Sequence, residues 1–253
     1  MSVILEYKEI NKSFGAKQIL KDINLQIESN KIVGLLGKNG SGKSTLFKSI
    51  LGLIKIKSGQ ILVDGVDINK LKEKERAKYI AYVSQNIMLP PLTVYEIVSM
   101  GRMPYYNFIS NKSDKDVIEE ILKKLNIFDL KDKIATELSG GERQLVSIAR
   151  ALAQKSRVIV FDEPTSNLDI KNEVFFKKTI KELVKTENIS ILISVHDLTN
   201  AYDLGDSYVF VKEGKAIVKG NKEIFTEDNI YNTFNQKVKI KEIDGSIFVK
   251  YKE

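Results

Sequence analysis

The sequence predicts a mixed α/β fold with a helical segment set into its middle, and three observations carry that expectation. Ile32-Val33-Gly34-Leu35-Leu36 is a short, continuous apolar run, the character of a strand buried on both faces. A second run, Val158-Ile159-Val160-Phe161, ends in two carboxylates, Asp162 and Glu163. Between them, from about residue 86 to 155, apolar residues recur at the spacing of helices.

The elements follow in order. Residues 3–10 read as a strand. Ile23, Leu25 and Ile27 alternate with Asn24 and Gln26, the period of a half-buried strand. After the first apolar run comes a glycine-rich turn, residues 37–42, and then a helical stretch, 43–51. Ile61-Leu62-Val63 before Asp64-Gly65 predicts a strand and a turn. Val117, Ile118, Ile121, Leu122 and Leu125 predict one helix, and Leu145, Ile148, Ala149 and Leu152 another. Residues 189–195 and 208–212 read as strands. Near the end, residues 238–243 and 247–249 flank Asp244-Gly245, a hairpin signal. With no repeat, low-complexity stretch or linker, residues 1–253 read as one domain. Residues 1–85 and 156–253 form its α/β core, and 86–155 its helical subdomain.

Composition excludes several chemistries. The 253 residues hold no cysteine, so disulfides, thiol nucleophiles and cysteine zinc sites are ruled out. The single histidine, His196, rules out a histidine-cluster metal centre. No apolar run approaches the roughly 18 residues of a membrane span. The start, Met1-Ser2-Val3-Ile4-Leu5-Glu6, lacks the basic and long apolar regions of a signal peptide, which predicts a cytoplasmic chain. Forty basic residues against 33 acidic give +7, but the charges are interspersed, as in Lys72-Glu73-Lys74-Glu75-Arg76. Such a balance could suit nucleic acid or an anionic membrane face, but a solvated, lysine-rich surface accounts for it, and charge alone assigns no function; no nucleic-acid partner is expected.

Two motifs carry chemistry. Gly37-Lys38-Asn39-Gly40-Ser41-Gly42-Lys43-Ser44 matches the phosphate-cradling pattern G-x-x-x-x-G-K-[ST], between a predicted buried strand and a predicted helix. Glycines let the backbone wrap so that N–H groups converge on phosphate oxygens, and the helix directs its positive end at them. Lys43 can reach the β- and γ-phosphates, and the Ser44 hydroxyl can ligate Mg²⁺. The second motif is the carboxylate pair. Ligands of open α/β sheets gather at the carboxyl ends of strands. Asp162 is placed to hold Mg²⁺, directly or through its water, and Glu163 to polarise an attacking water.

Leu138-Ser139-Gly140-Gly141-Glu142, extended by Arg143-Gln144, resembles the signature motif of ABC ATPases. The resemblance implies a P-loop NTPase (RecA-like) core with an N-terminal antiparallel β subdomain and an inserted α-helical subdomain. It implies ATP and Mg²⁺ as cofactors. Nucleotide contacts fall on Phe14, which would stack on adenine, and on Gly37, Asn39, Gly40, Ser41, Gly42, Lys43, Ser44 and Thr45. In that family the signature turn serves the ATP held by a second copy of the chain, head to tail. Ser139, Gly140, Gly141, Glu142 and Asp169 would act across that interface, Asp169 from the communicating loop Ser166-Asn167-Leu168-Asp169. Gln85 resembles the glutamine that contacts Mg²⁺ or water, so the metal set is Ser44, Gln85 and Asp162. His196 resembles the histidine on the γ-phosphate. The catalytic set is then Glu163, His196, Gln85 and Lys43.

Thr93-Val94-Tyr95-Glu96-Ile97-Val98 and Gly101-Arg102-Met103-Pro104-Tyr105 resemble the ATPases of iron-siderophore, haem and cobalamin importers. That branch implies an integral-membrane permease gripped by this segment, an extracytoplasmic substrate-binding protein, and a place on the cytoplasmic face of the membrane, peripheral through the permease. A soluble ABC ATPase of iron–sulfur assembly, or an importer of another cargo, would share the catalytic motifs. A DNA-repair member would need a long coiled coil between its nucleotide motifs, and only about 95 residues separate Lys43 from Leu138.

Overall fold

The computed structural model describes residues 2–106, 112–166 and 168–252. Two long strands open the chain, β1 (Val3–Phe14) and β2 (Lys17–Glu28), followed by β3 (Ile32–Leu36), α1 (Lys43–Ile50), β4 (Ser58–Val63) and β5 (Val66–Asp67). A single turn of helix, α2 (Glu73–Arg76), leads to β6 (Ile80–Val83). Three helices come next: α3 (Val94–Ser99), α4 (Lys112–Lys124) and α5 (Gly140–Ala153). The second half alternates β7 (Val158–Asp162), α6 (Ile170–Thr186), β8 (Ser190–Ser194), α7 (Leu198–Leu204), β9 (Ser207–Lys212) and β10 (Lys215–Gly220). Helix α8 (Glu227–Phe234) and a hairpin of β11 (Val238–Ile243) and β12 (Ser246–Tyr251) close it.

A six-stranded sheet in the order β10-β9-β3-β8-β7-β6 forms the centre. Its strands are parallel except for β10, which pairs antiparallel with β9 at one edge. An antiparallel sheet in the order β2-β1-β4-β5 lies against it. Side chains alternate across a strand, and here the alternation sorts them into two cores. Val33, Leu35, Val158, Val160, Leu192, Val209 and Val211 join the antiparallel sheet and α1. Their neighbours Ile32, Leu36, Ile159, Phe161, Ile191, Ile193, Tyr208 and Phe210 join the helices on the other face. Burial on both faces is why these strands read as unbroken apolar runs. The second core continues through Val94, Ile97, Val98, Ile118, Leu122 and Ile148, so the three middle helices pack against the sheet as well as each other.

The helix ends are specified locally. Thr93 caps α3 and Ser139 caps α5, each in a reciprocal capping box with the glutamate three residues on, Glu96 and Glu142. In the final hairpin both Asp244 (φ 52°) and Gly245 (φ 77°) are left-handed, as a two-residue turn of type I′ requires, and Ile243 pairs with Ser246.

Three differences from the sequence expectation have physical causes. Strand β1 runs on to Phe14 because bulges around Glu9 (φ 51°) break its alternation without ending its pairing with β2. Strand β10, Lys-Ala-Ile-Val-Lys-Gly, is an exposed edge whose lysines mask its period. Helix α6 starts with Ile170 and Val174 facing solvent, 83% and 61% exposed, so its apolar spacing does not announce it.

Phe225 sits where the second core meets the C-terminal helices. Its ring makes edge-on contacts with Tyr202, Tyr208 and Phe210, at centroid distances of 5.2, 4.7 and 5.4 Å. Phe225→Ala is expected to lower the unfolding free energy by about 3–5 kcal/mol, read from urea denaturation. A loss under about 1 kcal/mol, the usual limit of a surface change, would show that this cluster does not hold the C-terminal elements down.

Candidate nucleotide site

The glycine loop links β3 to α1. Gly40 (φ 79°) and Gly42 (φ 112°) adopt left-handed backbone that side chains rarely take, and a Cβ on Gly42 would lie 3.1 Å from the Leu20 side chain. Gly42 caps α1 without a side-chain bond, so the first N–H groups of the helix are left for another acceptor. Ser41 Oγ is buried and has no hydrogen-bond partner, an orphan that an anion seated in the loop would satisfy. Lys43 is buried, and its ammonium donates to the carbonyls of Gly37 (2.7 Å) and Lys38 (3.3 Å). Burial pulls the Lys43 pKa down, while Glu163 and Asp162 push it back up. Asn39 and Ser44 are exposed at this loop, and Thr45 is half-buried on the first turn of α1. These features fit a polyphosphate.

The two carboxylates leave β7 in different directions. Asp162 Oδ1 accepts from Ser194 Oγ at 2.8 Å, and Oδ2 accepts from the Tyr82 hydroxyl at 3.4 Å. Burial and the neighbouring Asp162 push the Tyr82 phenol up to about 12. Glu163 has left-handed backbone (φ 48°), uncommon for a side chain of its size. Its N–H donates to Ser194 Oγ at 2.8 Å. Its carboxylate faces His196 Nε2 through Oε1 and accepts from Gln85 Nε2 at 2.7 Å through Oε2. Gln85 also reaches Ser166 Oγ at 3.4 Å. Glu163, Gln85 and His196, from three separate segments, therefore meet at one carboxylate. The oxygens of Ser44, Asp162 and Gln85 are the hard donors Mg²⁺ takes, and the Asp162 carboxylate, accepting two hydroxyls, retains acceptor capacity.

The signature turn opens on two clefts, and in one, of about 500 Å³, its Gly140 stands with Gln85 and Pro164. Ser139, Gly141, Glu142, Gln144, Asn172 and Phe175 line the other, of about 250 Å³, beside the start of α5. Ser139 Oγ and the Ser139 N–H donate to Glu142 Oε2 at 2.7 and 2.8 Å, and these two bonds hold the Glu142 pKa down, while Ser139 Oγ accepts from the Glu142 N–H. The Glu142 carboxylate is thus committed to its own helix cap. The exposed Asp169 caps α6 by accepting from Asn172 N–H at 2.8 Å. Phe14 stands at the end of β1, 51% exposed, with Lys12 Nζ 4.6 Å from its ring centre. Asn167 lies outside the described residues.

Sequence reasoning missed Ser194, Tyr82 and the role of Arg102. The two hydroxyls carry no motif, and only the register of β6, β7 and β8 reveals them. Arg102 lies in the Gly-Arg-x-Pro segment, yet it is buried. Its Nε donates to Asp114 at 2.7 Å, and its guanidinium reaches the Ala153 carbonyl at 2.8 Å and stacks on Tyr105 at 4.2 Å. A Cβ on Gly101 would meet the Arg150 carbonyl at 2.2 Å, so only glycine allows this approach to α5. The segment locks the middle helices together, whatever else it contacts.

A glycine loop before a helix, with two carboxylates ending a strand of the same parallel sheet, defines a P-loop ATPase. The ABC transporter family model matches residues 20–166. An uncharacterized ABC transporter ATP-binding protein of Methanocaldococcus jannaschii is 35% identical, over 96% of both chains. The petrobactin import ATP-binding protein YclP of Bacillus subtilis is 34% identical, over 96% of this chain and 97% of its own. Among solved structures, cbiO1 of Clostridium perfringens, part of the ABC transporter complex cbiONQ, superposes with a TM-score of 0.82 at 32% identity, covering 92% of this chain and 94% of that one. The chain belongs to the ABC transporter ATPases, and it is an ATP-binding, ATP-hydrolysing subunit of that family. Among the described residues, no helix is long and apolar enough to cross a membrane.

The buried pair tests the brace. Arg102→Met is expected to cost about 3–5 kcal/mol, because it leaves the Asp114 carboxylate buried without this partner. Adding Asp114→Leu should recover most of that loss, since both charges are then gone. Urea denaturation of the single and double variants measures both. A single variant as stable as the parent would remove the ion pair from the account.

Proposed function

We propose that this ATPase energises an importer, as one of two identical subunits that close head to tail over two ATP molecules. The observation that carries this reading is the convergence of Gln85 and His196 on Glu163, with the signature turn on clefts lined by Gln85, Pro164 and residues of α6 rather than by the glycine loop. A chain whose second anion-binding turn does not line its own loop is suited to completing another copy's site.

In this reading Phe14 stacks on adenine. The loop, Gly37 to Gly42 with Asn39, Gly40 and Ser41, cradles the phosphates, helped by Lys43, Ser44 and Thr45. Mg²⁺, held by Ser44, Gln85 and Asp162, supplies charge neutralisation at the β- and γ-phosphates. Glu163 accepts a hydrogen bond from the attacking water and orients it in line with the γ-phosphorus. Gln85 and His196 each engage one Glu163 oxygen, and each oxygen keeps a further lone pair with which to hold water. These are the side chains assigned to Mg²⁺ and the γ-phosphate, which ties the orientation of the base to the bound substrate. Ser139, Gly140 and Gly141 of the second copy close the far side, positioned by the Glu142 cap, and Asp169 sets the start of α6 at the interface. The closed dimer binds ATP more tightly than the open one, so hydrolysis reopens it by differential affinity.

The permease is the second partner. A groove of about 460 Å³ between α1 and the middle helices is lined by Leu51, Leu53, Arg76, Met100, Met103 and Gln154. Leu53 and Met103 are 67% and 61% exposed, and they offer an apolar seat for a short cytoplasmic helix. We place residues 86–155 as the helical subdomain that carries this seat, and the subunit on the cytoplasmic face of the membrane, peripheral through the permease. The relatives' names, which include siderophore, iron chelatin and cobalamin transport, support a metal-chelate cargo of the iron-siderophore, haem or cobalamin kind. An extracytoplasmic binding protein would deliver it.

Glu163→Gln is expected to bind ATP while turnover falls about a hundredfold or more. ATP should then shift the variant to a dimer in size-exclusion chromatography. Wild-type turnover in that variant would remove Glu163 from the base role. Lys43→Ala is expected to weaken ATP binding at least tenfold, the scale of a lost charge-assisted bond, measured by equilibrium titration with a fluorescent ATP analogue. Co-expression with a candidate permease, followed by cargo-stimulated hydrolysis in proteoliposomes, tests the importer reading. A subunit that hydrolyses ATP at full rate as a monomer would end it.

A further inference from the structure

Ser194 ends β8 and is fully buried, at 0% exposure. It is the register partner of Asp162 across the β7–β8 pair and of Leu35 across the β3–β8 pair. The strand carrying the glycine loop and the strand carrying the carboxylates thus both flank this serine. One hydroxyl does two things there. It donates to Asp162 Oδ1 and accepts from the backbone N–H of Glu163, both at 2.8 Å. The second bond matters because Glu163 holds a left-handed backbone, which costs about 1 kcal/mol or more for a residue with a side chain and persists only where its surroundings enforce it. On the other flank, from β6, the Tyr82 hydroxyl reaches Asp162 Oδ2 at 3.4 Å, a longer and weaker bond.

We propose that Ser194 is the positioning residue of this ATPase: its single hydroxyl fixes the Asp162 carboxylate toward Mg²⁺ and, through the Glu163 backbone, sets the direction of the catalytic carboxylate. The inference rests on the roles given above to Asp162 and Glu163. A hydrogen bond from Ser194 orients the carboxylate and uses one of about four lone-pair sites, so the face toward a cation stays free. Without the hydroxyl, Asp162 Oδ1 loses its short donor and can rotate toward Tyr82. The Glu163 N–H becomes a donor without this acceptor, and the left-handed turn loses a bond that holds it. In this proposal Ser194 acts through Asp162 and Glu163 and not by a contact of its own with the nucleotide.

Threonine and valine at position 194 isolate the hydroxyl, because they match in size and branching and both suit a strand. Ser194→Thr, Ser194→Val and Ser194→Ala would be compared with the parent and with Asp162→Asn. The readouts are kcat, thermal unfolding midpoint, and the affinity for a non-hydrolysable ATP analogue in Mg²⁺ and in EDTA. The valine and alanine variants should lose about 10- to 100-fold in kcat, the worth of a hydrogen bond to a charged group. They should also lose most of the tightening that Mg²⁺ gives to nucleotide binding, with affinity in EDTA unchanged within about twofold. Threonine should restore both. Equal Mg²⁺ tightening in the valine and threonine variants, with equal kcat, would overturn the proposal. An affinity loss of the same size in EDTA and in Mg²⁺ would also overturn it, as would a fall in kcat that tracks only the unfolding midpoint. If Asp162→Asn keeps the full Mg²⁺ effect, the reading of Asp162 itself fails. If that variant loses the effect while valine keeps it, only the inference about Ser194 fails.

Discussion

The chemistry of this chain depends on the register of three adjacent parallel strands. Strand β8 lies between β3 and β7, with Ser194 opposite both Leu35 and Asp162. All three strands therefore end at one edge of the sheet. Parallel pairing is what makes this possible, because each crossover helix returns the chain to the same starting edge and each strand delivers its last residue to the same far one. A slip of one residue in β7 would turn Asp162 from its partner and exchange Phe161 and Val160 between the two cores. The cores forbid that slip. Phe161 packs edge-on against Phe176, at 5.6 Å between ring centres, while Val160 faces the antiparallel sheet. Apolar burial on both faces thus sets the positions of the polar residues at the rim.

How much of this was legible in the sequence depended on whether a feature is local. The buried strands β3 and β7, the glycine loop and the Asp-Gly hairpin each declare themselves within a few residues, because their physics is short-range: apolar runs, left-handed glycines, a two-residue turn. The carboxylate pair and the signature turn were readable for the same reason, and resemblance joined them to Gln85 and His196. Ser194 and Tyr82 were not readable. Each is an ordinary residue at or near the end of a strand, and its partner is set by pairing with a distant segment. Strands β6 and β10 escaped because four residues or an exposed, lysine-rich edge give too little periodicity. Helix α6 escaped because its first turns show apolar side chains to solvent.

The Gly-Arg-x-Pro segment shows how one stretch can satisfy two demands. Gly101 lets the chain approach the Arg150 carbonyl, and Arg102 crosses to Asp114 and Ala153, tying the start of α4 to the end of α5. The same short segment presents Met100 and Met103 to the groove beside Leu51 and Leu53. A buried ion pair is a poor source of net stability, because desolvation offsets most of its attraction. It is a good source of geometry, since few arrangements satisfy a guanidinium fork. Two adaptable methionines on a rigid support combine a surface that can fit a partner helix with a base that cannot yield under it.

That rigidity bears on how a signal at the groove could reach the carboxylates. Gln154, at the end of α5, donates to the carbonyl of Ile80 at 2.6 Å, and Ile80 opens β6, the strand that carries Tyr82 and leads to Gln85. Val158, at the start of β7, donates to the carbonyl of Tyr79 at 3.1 Å. The end of α5 is therefore bonded both to the Arg102 brace and to the strand whose continuation touches Glu163. A displacement of the middle helices would be carried along backbone bonds and a packed sheet edge, elements too stiff to absorb it. Gln85 is the exposed end of that line, held by one bond to Glu163 and a longer one to Ser166. Gln85 would thus join motion between the helices and the sheet to the Glu163 carboxylate.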